Sequence, residues 1–402
     1  MNRSKKTIQL ASPLDCTACT ACVSICPAHC ISISENQVGF SHADINQDVC
    51  LNCHKCEKVC PILNSHNNFN KQKCKVFAAI HKDNDVLLKS SSGGVFYAIS
   101  KYVFKKKGVV FGAACDDIHL SHQHIETIDD ILPLMGSKYI QSNVSGTFEE
   151  VKSFLENNRW VLFAGTPCQV AGLKAFLRKD YETLITVDLI CHGVTSSIVW
   201  EKYISRLKRT IGALKIKNLT FRKKHMSINL KNALNFNLSF DYMDNNGIWY
   251  PFNEYWSKNE YFSYFMRHIF MSSCYNCKFR SVYASMADFT IGDCWNAHLN
   301  HPNLPKGYGI SSVICHTNKA TNVFNSIKSE FMIEEEDVSI MENRYASARL
   351  EASEDKSKRL WILSNQLAAY IPLKWLRIIY MHDRLDFIIQ RKLQKVWKRN
   401  TK

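Results

Sequence analysis

Two stretches decide the N-terminal fold: CTACTACVSICP at Cys16–Pro27 and CLNCHKCEKVCP at Cys50–Pro61. Both read C-x2-C-x2-C-x3-C-P, so the same spacing occurs twice within the first 65 residues. Together the two runs use eight of the seventeen cysteines in the chain. Those eight are Cys16, Cys19, Cys22, Cys26, Cys50, Cys53, Cys56 and Cys60. Thiolates placed at such intervals hold metal, and we therefore take them as candidate ligands.

The spacing is that of the cluster ligands in bacterial two-cluster ferredoxins. Three thiolates separated by two residues each can wrap around one cubane, while the fourth, one residue further on, reaches the other cluster. The following proline ends the local helix. The sequence therefore predicts two [4Fe–4S] clusters. We assign the first to Cys16, Cys19, Cys22 and Cys60, and the second to Cys26, Cys50, Cys53 and Cys56.

Structural zinc and a disulfide framework are the alternatives. Zinc sites use two cysteine pairs, and each run here has more cysteines than one pair needs. Disulfides would require export, and Met1–Leu10 has charges but no apolar segment of a signal peptide. We therefore expect a cytoplasmic protein, with its thiols reduced or bound to metal.

Length and charge limit the other classes of function. A chain of 402 residues is too long for a ferredoxin alone, and no stretch of eighteen apolar residues predicts a spanning helix. The net charge is +15, but residues 1–65 balance five basic against five acidic side chains. From Leu373 onward, nine Lys or Arg face two Asp, a net of +7. No nucleic-acid motif accompanies this charge, so we expect no nucleic-acid partner.

The fold class predicted is a multidomain α+β or α/β protein. A ferredoxin-like module at residues 1–65 is followed by a mixed α/β body and a C-terminal amphipathic helix. We divide the body into residues 76–155 and 156–320, and assign residues 321–402 to a helical basic tail. Apolar spacing from Pro372 to Trp397 predicts the amphipathic helix. It can lie on an anionic membrane surface or pack on the body with a solvated basic face.

The clearest α/β unit lies near the middle of the chain. An apolar strand at Trp160–Ala164 precedes a turn at Gly165–Gln169, a helix at Val170–Leu177 and a second strand at Leu184–Leu189. This order predicts a parallel or mixed sheet with sites at the carboxyl ends of the strands. We also predict a helix over Ser90–Tyr102 and several strands between residues 215 and 270.

Six motifs occur in order beyond residue 90: SSGGVF at 91–96, GSKYIQS at 136–142, GTPCQVAGL at 165–173, DLICHG at 188–193, CYNCKF at 274–279 and DFTIGD at 288–293. Together they resemble the family of coenzyme F420 hydrogenase/dehydrogenase beta subunits over roughly residues 10–320. The sequence departs from the family pattern at Thr195, at Asn296 and in Phe221–His225. These departures concern the substrate pocket more than the flavin site.

The resemblance implies a flavoprotein that holds FAD beside iron–sulfur clusters. The implied flavin contacts are Ser91, Ser92, Gly93, Gly94, Ser137, Lys138, Tyr139, Gly165, Thr166, Pro167 and Gln169. An ordinary helix cap at Ser91–Gly94 and a solvated surface Lys138 are the alternatives from the residues alone. His192, at the end of a strand, is a candidate proton donor, although a lone histidine is more often structural.

Cys274-x2-Cys277 is a half-site that needs two partners. Cys168 and Cys191, on the two predicted turns, would complete a third cluster, with Cys294 as a spare ligand. The alternative is a pair of unligated cysteines in an aromatic loop. We interpret the remaining cysteines as core or loop thiols, namely Cys30, Cys74, Cys115 and Cys315.

These features favour an iron–sulfur flavoenzyme that passes electrons between its clusters and FAD. Its acceptor or donor would be F420-like or a small metabolite, with polysaccharide biosynthesis as one setting that the family suggests. Two alternatives remain open: an electron-transfer subunit that serves a separate catalytic protein, and a non-catalytic partner in a glycan pathway. Intact cysteine sets argue against the last.

Overall fold

The computed structural model describes residues 8–64, 74–224, 236–256, 258–265, 270–295, 297–305 and 307–341. At its N-terminal end, helix α1 (Ala21–Ser24) and helix α2 (Lys55–Val59) each lie inside one cysteine run. Strands β1 (Ile31–Glu35) and β2 (Ser41–Ile45) pair antiparallel between them. The small core of this module is built largely from cysteines and short apolar side chains. A ferredoxin-like module is therefore confirmed.

The remaining strands are β3 (Lys75–His81), β4 (Val109–Asp116), β5 (His119–Ile125), β6 (Val161–Ala164), β7 (Leu184–Leu189), β8 (Lys215–Lys224), β9 (Phe236–Met243), β10 (Trp249–Tyr255), β11 (Phe289–Asp293), β12 (Ser311–Cys315) and β13 (Phe331–Glu336). The remaining helices are α3 (Asn84–Lys89), α4 (Val95–Lys105), α5 (Thr147–Glu156), α6 (Pro167–Leu177), α7 (Ser197–Ile211), α8 (Glu260–Phe265), α9 (Ser272–Tyr275), α10 (Ala297–Asn300) and α11 (Asn318–Ile327).

A large mixed sheet forms the body, in the order β13-β3-β12-β11-β7-β6-β4-β5. The four central strands β11, β7, β6 and β4 are parallel, and antiparallel strands flank them on both sides. Strands β6 and β7 are almost wholly buried, as short apolar runs without alternation predict for strands covered on both faces. Helices α4 and α11 contribute to the core on one face, and α5 and α6 to that on the other. The predicted mixed sheet is confirmed.

A second, antiparallel sheet is formed by β8, β9 and β10. One side packs on an aromatic core that includes Trp200, Phe221, Phe240 and Tyr261. The strands predicted between residues 215 and 270 are thus present, and helix α8 follows them. The body therefore presents an aromatic wall beside the carboxyl edge of the main sheet.

Two predicted helix starts are wrong. Helix α4 begins at Val95 rather than Ser90, because Gly94 adopts a left-handed φ of 84° and the preceding residues run against β3. Helix α6 begins at Pro167 rather than Val170. Thr166 and Gln169 form a reciprocal capping box there, and proline is well suited to the first helical position. Cys168 and Gln169 therefore sit in the first helical turn.

The domain boundary predicted at residue 320 can be compared with the elements around it. It falls inside α11, and β13 pairs with β3 along Phe331–Glu336, so the sheet extends beyond it. Strands from both predicted halves of the body share this sheet. The predicted amphipathic helix from Pro372 to Trp397 lies outside the described residues. Within the part of the chain that is described, the helices are too short or too polar to cross a bilayer.

Candidate functional site

A cavity opens between α1 and the C-terminal end of α2. Four thiols from both cysteine runs line it: Cys16, Cys19, Cys22 and Cys60. These are the four residues assigned from spacing to the first cluster. The way the two runs fold against each other is thus compatible with a fourth cysteine that reaches the cluster of the other run.

The second cavity is lined by the other four predicted ligands. These are Cys26, Cys50, Cys53 and Cys56. Cys30 lines the same cavity, with its Sγ 3.4 Å from Sγ of Cys26. The sequence interpretation treated Cys30 as a core or loop thiol, whereas the structure places it in the wall of this cavity.

The backbone of both runs curls in the same way around these cavities. Ala18 and Asn52, each two residues after the first cysteine of its run, have φ of 51° and 53°. Their N–H groups donate to Sγ of Cys16 and Cys50, each at 3.4 Å. Left-handed backbone is unfavourable for such residues and persists only where the surroundings impose it. Backbone N–H groups that point into the cavities in this way can donate hydrogen bonds to the sulfur atoms of an anionic cluster.

Burial of these thiols also favours a bound metal. It raises the pKa of Cys19 and Cys22 to about 12 and that of Cys56 to about 11. A buried thiolate is costly unless a cation compensates it, and metal binding displaces the proton. In addition, the buried hydroxyl oxygens of Thr17 and Thr20 have no protein partner among the described residues. The two cavities therefore fit [4Fe–4S] clusters.

A second group of four cysteines lies in the body. Cys168 comes from α6, Cys191 follows β7, Cys274 belongs to α9, and Cys277 follows it. Burial is the main cause that raises the pKa of all four thiols, and mutual proximity adds to it: Cys191, Cys277 and Cys168 each contribute at Cys274. These mutual effects place the two turns near each other and near the half-site. Ligation of a metal by the four thiols stays a prediction.

Helix α6 contacts both this four-cysteine group and the first cavity. A Cβ on Gly172 would lie 2.9 Å from Cβ and 3.0 Å from Sγ of Cys19. Cys168 is one helical turn earlier on the same face of α6. Cys19 is also among the groups whose charge raises the pKa of Cys168. The first cavity and the four-cysteine group are therefore neighbours.

We expect Gly172→Ala to destabilise the contact between the N-terminal module and α6. The added methyl group would overlap Cys19, and overpacking typically costs about 1–3 kcal/mol. The thermal midpoint of the cluster-loaded protein should fall, with loss of iron at a lower temperature than in the parent. Gly112→Ala is the matched control, since its Cβ would meet Leu134 at an ordinary 3.5 Å. Equal melting of Gly172→Ala and the parent would contradict this close approach.

The serine–glycine motif and the Gly-Ser-Lys-Tyr motif meet at the carboxyl edge of the main sheet. Oγ of Ser91 accepts a hydrogen bond from the Ser137 amide at 2.6 Å. Gly93 lies so close to β3 that a Cβ would stand 2.2 Å from the Ala79 carbonyl oxygen. Gly165 follows β6 at the same edge. This is the edge at which open α/β sheets bind ligands.

The side chains of Lys138 and Tyr139 are more enclosed than they would be on a surface turn. The Lys138 ammonium donates to the carbonyls of Pro133 and Met135 at 2.9 and 2.8 Å, and burial lowers its pKa to about 7. Tyr139 packs edge-on against Trp256 and Phe265, with ring centroids 5.3 and 4.7 Å apart. Lys138 therefore secures the turn, and Tyr139 belongs to the aromatic wall.

The turn after β6 is held by its own side chains. Gln169 Oε1 accepts from the Thr166 amide at 2.9 Å, while Nε2 donates to Oγ of Ser142 at 3.1 Å. Pro167 occupies the first position of α6. Gln169 thus joins the Gly-Thr-Pro-Cys-Gln turn to the end of the Gly-Ser-Lys-Tyr motif, and direct flavin contact by its amide stays a prediction.

His192 and Asp188 flank Cys191. The His192 carbonyl accepts from Nη2 of Arg280 at 2.7 Å, which fixes the backbone beside the four-cysteine group. Burial raises the pKa of Asp188 to about 7, and its Oδ2 accepts from the Ser285 hydroxyl at 2.7 Å. Asp188 can therefore hold a proton near the thiols. The role of His192 as a proton donor stays a prediction.

Sequence reasoning missed a basic pair on β8. Nη1 of Arg222 pairs with Oδ2 of Asp293 at 2.9 Å, and the Lys224 ammonium donates to the carbonyls of Leu87 and Ser92, each at 2.8 Å. Burial first, then the neighbouring Arg222, lowers the pKa of Lys224 to about 7. The sequence signal that could have revealed this pair is the i, i+2 spacing of Arg222 and Lys224, which places both side chains on one face of a strand.

Two family models match the chain. The model of the 4Fe-4S dicluster domain covers residues 15–63. The model of the C terminus of the beta subunit in coenzyme F420 hydrogenase/dehydrogenase covers residues 158–340. The first contains all eight ferredoxin-type cysteines, and the second contains the four-cysteine group and Arg222.

Two curated proteins are similar to parts of the chain. The F subunit of the F(420)H(2) dehydrogenase of Methanosarcina mazei is 23% identical over 188 residues, which are 44% of this chain and 53% of that protein. The chain therefore spans about half the length of this relative. "Ferredoxin 7Fe" of Hydrogenibacillus schlegelii is 33% identical over 75 residues, 18% of this chain and 90% of the ferredoxin.

Among solved structures, a chain of the F420-reducing [NiFe] hydrogenase complex from Methanosarcina barkeri is similar at 16% identity with a TM-score of 0.43. The similarity covers 71% of this chain and 90% of that chain.

Proposed function

We propose that this chain is an FAD-dependent iron–sulfur oxidoreductase, because it belongs to the family of coenzyme F420 hydrogenase/dehydrogenase beta subunits and carries a 4Fe-4S dicluster domain. Its two N-terminal clusters connect, through a third cluster in the body, to FAD at the carboxyl edge of the main sheet. When bound, the clusters supply single-electron steps and FAD supplies two-electron chemistry.

The observation that carries the proposal is the four-cysteine group beside Cys19. Four thiols from three separate segments, all raised in pKa by burial and three of them also by their cysteine neighbours, suit the donor set of a [4Fe–4S] cluster. Contact between Gly172 and Cys19 brings the first cavity to the face of α6 that also carries Cys168. A continuous series of metal sites from the module into the body follows from this arrangement.

The carboxyl edge of the sheet suits the FAD pyrophosphate. The backbone at Ser91–Gly94 approaches the sheet closely, and the N-terminus of α4 follows directly. Helix N-termini and glycine-rich turns attract phosphate. Lys224 reaches the same turn through its bond to the Ser92 carbonyl, and two of its three N–H donors are used by carbonyls. Counted over the described residues, one donor thus remains for an anion.

The chain's own residues have separable roles in this proposal. Lys224 and Arg222 supply positive charge, and the aromatic wall around Tyr139 excludes water from the same edge. Asp188 holds a proton close to the four thiols. His192 lies in the backbone segment that Arg280 fixes and remains the candidate proton donor to flavin or substrate.

A redox partner protein or a small soluble acceptor completes the proposal. The Methanosarcina mazei relative is named as a subunit, which supports the variant in which the chain serves a separate catalytic protein. An F420-like deazaflavin or a small metabolite is the acceptor in the other variant. The glycan-pathway role stays a prediction from sequence alone.

The test is the cofactor content of protein purified without oxygen. We expect heat-released flavin that co-chromatographs with FAD, together with about twelve iron and twelve sulfide atoms per chain, four of each per cluster. Reduction by dithionite should bleach both chromophores. Absence of flavin after reconstitution with FAD would contradict the flavoprotein, and iron limited to about eight atoms per chain would contradict the third cluster.

A further inference from the structure

Cys294, His301 and Glu336 meet at a buried position that shares no residue with the four-cysteine group. Cys294 directly follows β11, His301 directly follows α10, and Glu336 ends β13. Their ligand atoms, one from each residue, all lie within 4.8 Å of one another. All three residues are buried. Cys294, the spare ligand in the sequence interpretation, thus belongs to a different constellation.

The imidazole of His301 lies between two carboxylates. Its Nε2 is 3.1 Å from Oε1 of Glu336, and its Nδ1 is 2.9 Å from Oε2 of Glu334. The Glu336 side chain is fully buried, while that of Glu334 is 26% exposed. A buried carboxylate needs a compensating positive charge. That charge is either a protonated His301 or a metal ion bound by the inner ring nitrogen.

We propose that Cys294, His301 and Glu336 bind one divalent transition-metal ion of the zinc class. Thiolate, imidazole and carboxylate are the three donor types that zinc takes in proteins. Two such ligands at zinc bond lengths and a tetrahedral angle lie about 3.3 Å apart, close to the observed nitrogen–oxygen separation.

The outer glutamate supplies the supporting contact that metal-bound histidines usually have. Glu334 accepts from Nδ1, which orients the ring and leaves Nε2 to face Cys294 and Glu336. An imidazolium bonded to both carboxylates would involve His301 and the two glutamates. A metal ion would use the thiol, the imidazole and the buried carboxylate together, as the proximity of their ligand atoms allows.

The ion would join three segments that are distant in sequence. Glu336 lies on β13, the edge strand of the main sheet, whereas Cys294 follows the central strand β11. His301 lies in the loop between β11 and β12. The site is separate from the cluster cavities and does not depend on the proposed redox function.

The proposal is tested by metal analysis of the full chain, expressed with added zinc and purified without oxygen. We expect about one zinc per chain in addition to iron, with X-ray absorption showing one sulfur at about 2.3 Å and lighter ligands at about 2.0–2.2 Å. Cys294→Ser and His301→Gln should each lower zinc at least fivefold and leave iron unchanged. Cys315→Ser, a buried cysteine on the neighbouring strand β12, is the control and should keep zinc.

Two outcomes would overturn the proposal. One is full-length protein without a second metal, which is the result expected of an imidazolium bonded to two glutamates. The other is zinc that persists in both variants, which assigns it elsewhere. If the variants fail to fold, the wild-type protein still decides: Co²⁺ exchanged into the zinc site must give a thiolate-to-cobalt absorption band, and absence of that band counts against Cys294 as a ligand.

Discussion

Replacing Cys274 and Cys277 together by alanine should lower the iron content from about twelve to about eight atoms per chain. Both thiols belong to the four-cysteine group, and burial raises the pKa of Cys274 well above its usual value. A cubane held by two thiolates instead of four would be lost during purification. The measurement is iron and sulfide per chain, with electron paramagnetic resonance of the reduced protein to follow the two N-terminal clusters.

The matched control for this pair is Cys315→Ala, which removes a buried thiol on β12 that lies outside the two cluster cavities. Its iron content should equal that of the parent. The single variants Cys274→Ala and Cys277→Ala should each fall below the parent, with the signals of the N-terminal clusters in place. Unchanged iron in the double variant would refute a third cluster, and loss of all iron would show that the substitutions unfold the chain.

The sequence was most informative where ligands lie close together along the chain. Two repeated cysteine runs predicted the N-terminal module, because short spacing alone limits which thiols can share one metal. The same short spacing predicted that the fourth cysteine of each run reaches the cluster of the other run. Cys60 lines the same cavity as Cys16, Cys19 and Cys22. Apolar runs such as Leu184–Leu189 likewise predicted buried strands.

Sites assembled from distant segments were harder to predict. Cys168 and Cys191 could be joined to the Cys274-x2-Cys277 half-site because both follow predicted parallel strands, whose carboxyl ends share an edge. His301 and Glu336 gave no such signal, since they meet Cys294 only when β13 pairs at the edge of the sheet. The position of β13 depends on long-range pairing that local patterns do not encode.

The early start predicted for α4 has a similar origin. Ser91–Gly94 reads as a helix entry, but the segment is held against β3 and β12 by bonds from distant residues. Gly93 stays outside the helix because its amide donates to Oγ of Ser311 at 2.8 Å, and its carbonyl accepts from the His81 amide. Tertiary contacts thus override helix propensity at the turn where we propose that phosphate binds.

Lys224→Met should weaken FAD binding roughly ten- to a hundredfold, because a hydrogen bond to a charged group contributes about 1.5–3 kcal/mol. Lys224 is the buried cation bonded to the Ser92 carbonyl, so it lies beside the glycine turn. Methionine keeps the length of the side chain but removes the charge. The measurement is the Kd of flavin-depleted protein for FAD, from quenching of flavin fluorescence under anaerobic conditions.

The same variant should also lose a pH dependence. Burial lowers the pKa of Lys224 to about 7 in the flavin-free protein. A bound phosphate favours the charged amine, so FAD binding takes up a proton above that pH and affinity falls as pH rises from about 7 to about 9. In Lys224→Met this slope should vanish. Lys223→Met is the control, since Lys223 points to the other face of β8 and donates to Ser239. Equal affinity and equal slope in Lys224→Met and the parent would exclude the β8 basic pair from the flavin site.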